Sequence, residues 1–341
     1  MIAPLLIVFF LFVIVSLLPL RHRSESYVFW GMMIIMIFLA GLRGEGIDRD
    51  YENYTILMNT ADDFSIEPAF LLIARIANFL GSPAVLFFIY AVLGVSLKFI
   101  AIDKLTDLRL LSVVMYFAYF YQLHEITQIR AGVASAILLL AVKPIYDRNF
   151  WKFIILTALA VTFHYSALLM LPLWFLRTRE VNKYLLYIIP VGSLLLYFAG
   201  IRIGASVPIP IPFIQSKIDM YNTFTELGIS DFDQINVLNL VYLARVAMYY
   251  FVLYFVDLIK DKNKYTVILL NIYMLSLAAF PLFSALPVLS FRINELYGIV
   301  EILLFPLIYY TIKQKVYSKI LVSLIATTFI LINLFHNQLL N

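Results

Sequence analysis

Long apolar runs separated by short charged turns fill the chain from end to end. The runs predict helices at 2–20, 27–42, 83–102, 110–123, 126–142, 184–201, 237–259, 265–283, 296–312 and 320–335, most long enough to span hydrocarbon. Membrane barrel strands would instead give short alternating segments. Phe153–Leu176 has basic residues on both sides, Lys152 before it and Arg177, Arg179 and Lys183 after it, and two inner loops cannot flank one span. It is therefore expected to be a hairpin with its tip at Thr162–Ser166. A single span with an exported basic loop is the alternative. Glu67–Leu80 reads as an amphipathic or half-inserted helix. The expected class is an all-α polytopic bundle of about 10–11 membrane helices, in one domain over 1–341.

Composition agrees with this pattern: 63% of residues are hydrophobic and 13% charged, about half the charge of a soluble domain. The apolar N-terminus reads as a retained first span and not as a cleaved signal. There is no cysteine, which excludes disulfides, thiolate nucleophiles and Cys-bound metals. No P-loop, GxGxxG, HExxH or GxSxG motif occurs. ATP-driven transport and cofactor redox chemistry have no support, and no cofactor is expected.

The charges set the orientation. Cytoplasmic loops carry the excess of Lys and Arg, which puts extracytoplasmic loops near 43–82 and 202–236. Of the 25 Lys and Arg, eight fall outside the inner set: Arg43, Arg49, Arg75, Arg130, Arg202, Lys217, Arg245 and Arg292. Lys98 sorts with the inner ends of spans. Seven of these eight are arginines, whose planar fork suits phosphates and carboxylates. Most of the basic residues lie in short loops and form no nucleic-acid patch.

Candidate chemistry centres on Gln122–Ala136. His124, Glu125, Gln128 and Arg130 sit there between apolar runs, beside small residues that leave room for close packing. An arginine in a membrane helix costs about 2.5–3.5 kcal/mol on insertion scales. Snorkelling from a helix end is one explanation for Arg130; binding an anion in an internal polar cavity is the other. Arg245 and Arg292 lie in or beside other spans, with Arg43 at the outer end of the second. With Glu125, Glu295 and Glu301 as the nearby acids, these arginines suit a diphosphate better than mutual ion pairs. His164 is either a structural hydrogen-bond donor or a general base. His124-Glu125 is a second acid/base pair or simple interfacial polarity. Asp48 and Asp50 form a D-x-D in a loop that also carries Tyr51 and Tyr54. That loop is either an ordinary solvated turn or a place for sugars, with a divalent metal on the two aspartates as the weaker option.

Leu42–Tyr54 (LRGEGIDRDYENY), Glu67-Pro68-Ala69-Phe70, QIRAGVASA, Phe163–Ser166 and Phe291-Arg292 follow one another in an order that resembles the EpsG/Wzy-type polysaccharide polymerases of bacterial inner membranes. The resemblance implies joining of repeat units carried on undecaprenyl diphosphate at the periplasmic face, for O-antigen, lipopolysaccharide, capsule or exopolysaccharide. Arg130, Arg292, Arg245, Arg43, His124, Gln128, Tyr51 and Tyr54 would bind substrate; His164, Asp48, Asp50 or Glu125 would act in catalysis. The implied partners are lipid-linked glycan, membrane lipid and a chain-length regulator. A flippase for the same glycans and an O-antigen ligase are the alternatives.

Overall fold

A computed structural model describes residues 2–48, 50–60, 66–203 and 235–335. Most of the second expected external loop, over 204–234, lies outside them, as do Arg49 and Lys217. Among the described residues the chain is helical, without β-strands. Four helices are long and apolar enough to cross a membrane: α2 (His22–Gly41), α5 (Pro83–Leu105), α7 (Ile129–Tyr146) and the last, α15 (Lys315–Phe335). Shorter apolar helices surround them: α1 (Ile2–Leu17), α4 (Pro68–Phe79), α6 (Arg109–Ala118), α8 (Phe150–Phe163), α9 (Lys183–Phe198), α10 (Leu240–Tyr254) and α12 (Thr266–Leu282). The remaining helices are α3 (Tyr51–Asn59), α11 (Val256–Ile259), α13 (Pro287–Gly298) and α14 (Glu301–Leu304). The chain is a polytopic helical membrane protein.

The expected hairpin is present, with its second limb wound as a 3₁₀ helix over Tyr165–Phe175. Arg148, at the foot of α8, donates to the carbonyls of Trp174 at 2.5 Å and Leu176 at 2.6 Å. The two feet therefore meet, and His164 sits at the opposite tip. The predicted span 296–312 is not one helix. It breaks into α13, α14 and a 3₁₀ segment, Phe305–Tyr310, where Pro306 has no amide hydrogen to continue the ladder.

Loops assigned to the inner face by their charge gather at one end. Lys319 donates to the Ser16 carbonyl, Arg109 pairs with Glu25, Asn263 donates to the Leu105 carbonyl, and Lys183 pairs with Asp257. At the other end Arg43 reaches the Glu125 carbonyl, Glu67 meets His164 and Arg292 meets Gln128. The bundle thus separates the segments as the positive-inside rule sorts them.

Between α6 and α7 the chain turns through a π-helical segment, Tyr121–Thr127, every residue of which is buried. π-turns are rare and occur often at functional sites. This one is held by buried charge. Lys98 on α5 is fully buried rather than at an inner end, and its ammonium donates to Glu125 Oε1 at 2.5 Å and the Gly132 carbonyl at 2.7 Å. Tyr116 donates to the same carboxylate oxygen at 2.7 Å. Removing one partner of such a pair leaves a bare buried charge, at a cost of about 3–5 kcal/mol. Small residues make the fit possible, Gly132 among those noted in the sequence and Gly94 on α5 in addition. A Cβ on Gly132 would lie 2.6 Å from the His124 carbonyl oxygen, and one on Gly94 would lie 2.1 Å from Glu125 Oε2.

Candidate functional site

A cavity of about 290 Å³ opens where the loop before α3, the start of α7, the hairpin tip and α13 converge. Asp50, Asn53, Tyr54, Gln128, Arg130, His164 and Arg292 line it. Six of these seven are candidates from sequence, drawn from four separate segments.

His164 is positioned from behind. Its Nδ1 lies 2.7 Å from Glu67 Oε1, at the mouth of α4. A carboxylate can only accept, so Nδ1 carries the proton and neutral His164 presents Nε2 as a lone pair. That Nε2 is buried and has no hydrogen-bond partner among the described residues. Glu67 is 3% exposed and also takes a hydrogen bond from Arg130. Burial would raise its carboxyl, but the His164 hydrogen bond and the Arg130 charge prevail and hold it down at about 2. Glu67 is therefore an acceptor throughout the physiological pH range, and one His164 tautomer is fixed.

Two arginines face the cavity differently. Arg130 is balanced by Glu67 and lies beside the rings of Tyr54 and Phe70. Arg292 is one-third exposed and donates to the neutral amide oxygen of Gln128 at 2.6 Å; its nearest carboxylate, Glu295, is 3.9 Å away. Its charge is the less committed of the two. Gln128, Arg130 and Ala131 lie at the N-terminal end of α7, whose helix dipole adds positive potential. On the opposite wall burial and the neighbouring Asp48 raise the Asp50 carboxyl above its usual range, against the pull of Arg292 and Arg130.

The other candidates lie elsewhere. Asp48 is buried, with Oδ2 accepting from Arg43 Nε at 2.9 Å and Oδ1 from the Asp50 amide at 2.9 Å. It closes a turn and does not combine with Asp50 into an open pair for a cation. Among the described residues no group of three His, Asp or Glu converges as metal ligands do. Arg43 binds Asp48 through Nε and two carbonyls through Nη1, over the Phe87 ring, and its buried Nη2 has no hydrogen-bond partner among the described residues. Glu125 belongs to the Lys98 pair, and buried His124 shares a hydrogen bond with Ser135 Oγ at 3.1 Å. Tyr51 stacks on Phe87. Arg245 makes a two-pronged contact with Glu301, at 2.9 and 3.2 Å. Against the expectation that these arginines suit a diphosphate better than ion pairs with nearby acids, each of the four has a carboxylate within 4 Å.

Glu67 is the residue missed from sequence as a site group. Its signal was the Glu-Pro at a helix start, which reads locally as a helix boundary and says nothing of a histidine 97 positions away.

The chain is similar in sequence to known proteins over most of its length. The profile of the EpsG family matches residues 26–339. The amylovoran biosynthesis protein AmsC of Erwinia amylovora is 22% identical over 327 residues, covering 90% of this chain and 85% of the relative. No solved structure matches.

Proposed function

The chain belongs to the EpsG family, and from that premise we propose that it is a polysaccharide polymerase, a glycosyltransferase that joins glycan repeat units carried on a lipid diphosphate. Its similarity to an amylovoran biosynthesis protein supports a role in exopolysaccharide assembly. The place of action is the outer face of the bacterial inner membrane, the carrier is undecaprenyl diphosphate, and a chain-length regulator is a partner.

One observation carries the reading: a histidine with Nδ1 held by a carboxylate and Nε2 without a hydrogen-bond partner among the described residues, in the wall of a cavity that also contains Arg292, whose main contact is a neutral amide. In the proposed reaction a hydroxyl of the incoming unit attacks the anomeric carbon of the growing chain. His164 Nε2 takes the hydroxyl proton as the new C–O bond forms. The bond from the anomeric carbon to the phosphate oxygen breaks, and the electron pair leaves with the lipid diphosphate. Arg292, with Arg130 and the start of α7, stabilises the charge that develops there. Energy comes from the donor's own glycosyl–phosphate bond, so no nucleotide is required.

The reaction is testable in membranes containing the full chain and supplied with lipid-diphosphate-linked repeat units. The expected result is glycan of many repeats, with one lipid diphosphate released per linkage and no need for ATP. Movement of units across the membrane with no new linkage would establish the flippase reading instead.

A further inference from the structure

Gln128 and Arg292 line two cavities at once. One is the reaction cavity; the second, of about 670 Å³, lies on the other side of their hydrogen bond, between the start of α10 and α13. That size falls within the roughly 300–1,000 Å³ of small-molecule sites, and its walls differ in kind from those of the first.

Aromatic rings form much of the second cavity. Tyr242 and Phe280 stack with centroids 5.1 Å apart, and Phe291 meets Phe280 edge-on at 5.6 Å, its ring exposed. Of the two arginines here, Arg245 is matched by buried Glu301, and Glu295 lies 3.9 Å from Arg292. Amide and carboxylate groups, including Asn294, Gln128 and Glu295, stand around the apolar ring faces, each held in place by hydrogen bonds within the protein. Sugar rings carry hydroxyls that both donate and accept, and C–H faces that pack on aromatic rings. A lipid diphosphate, in contrast, suits the reaction cavity, where Arg130 and the N-terminal end of α7 join Arg292.

The geometry points to a saccharide subsite: the second cavity holds sugar residues of the glycan beyond the reacting one, and the chain passes the Gln128–Arg292 pair to reach it. The identity of the glycan rests on the polymerase reading; the subsite itself rests on the cavity. Held there, the growing chain stays close between additions, so loss of the subsite shortens the polymer without disabling the reaction cavity.

The test is calorimetric binding to the purified full-length protein. The probe is short, lipid-free and phosphate-free fragments of the producing strain's own polysaccharide, released by partial acid hydrolysis. Val288→Trp fills the cavity, and Phe291→Ala removes an exposed ring, a change that leaves the core intact. Each variant is expected to weaken fragment binding about tenfold or more, a change of roughly 1.4 kcal/mol, whereas His164→Ala binds as wild type does. The inference is overturned if wild type binds no fragment, or if Phe291→Ala and inserted Val288→Trp both bind as tightly as wild type. Should Val288→Trp fail to insert, Phe291→Ala decides alone. Failure of the polymerase reading shows separately, as His164→Ala cells that still make long polymer, whatever the fragments do.

Discussion

His164→Ala is expected to reduce linkage formation by about 10²–10⁴-fold, the range for loss of a positioned general base. The protein should still accumulate in the membrane. His164 lies at a hairpin tip, and without it Glu67 keeps its partner Arg130. The check is the linkage rate in membranes matched for protein, with repeat units supplied on lipid diphosphate. Glu67→Gln should fall between the variant and wild type, because the amide oxygen can still accept from Nδ1 while the charge that favours the imidazolium is gone. Full activity in His164→Ala would return the histidine to a structural hydrogen-bond donor, and the base would have to be sought on Asp50.

Arg292→Ala is the second large effect, a loss of about 10²–10³-fold, comparable to removal of one donor from an oxyanion site. Its side chain is one-third exposed and its main contact is a neutral amide, so little folding energy depends on it. Arg292→Lys should recover part of the rate: the charge returns but the two-pronged fork does not. The measurement is again linkage formation, with the amount of inserted protein as the control. A variant lacking Arg292 that polymerises normally would remove the diphosphate from this part of the cavity.

Much of this was legible in the sequence because it depends on local pattern. Apolar runs gave the spans, and opposed basic flanks gave the hairpin of α8 and the 3₁₀ limb. Polar residues stranded among apolar ones marked Gln128, Arg130, His164 and Arg292, and the structure brings these into one cavity. What escaped was pairing at long range. Lys98 looks like the end of an inner span until α5 packs beside α7 and places it on Glu125. Arg245 looks like an available cation until the broken segment after α13 sets Glu301 against it. Spacing along one helix cannot foretell which carboxylate a distant arginine will meet. The same limit hid Glu67, which positions His164 from an unrelated segment.

The pairings also separate residues that hold the fold from those able to meet a ligand. The Lys98–Glu125, Arg43–Asp48 and Arg245–Glu301 pairs are buried on both sides, where loss of one partner destabilises the protein. Variants at those positions are expected to lower the amount of inserted protein, and lost polymer there would say little about chemistry. His164 and Arg292, at the cavity wall, are the informative positions.

The most direct measurement is the length of surface glycan on gels from a strain lacking this gene, with wild-type and Arg292→Ala copies restored at equal level. The account predicts single repeat units at the surface of the deletion strain, a full ladder with wild type, and single units again with Arg292→Ala. Repeat units that fail to reach the surface in the deletion strain would contradict it, since export and not joining would then be the missing step.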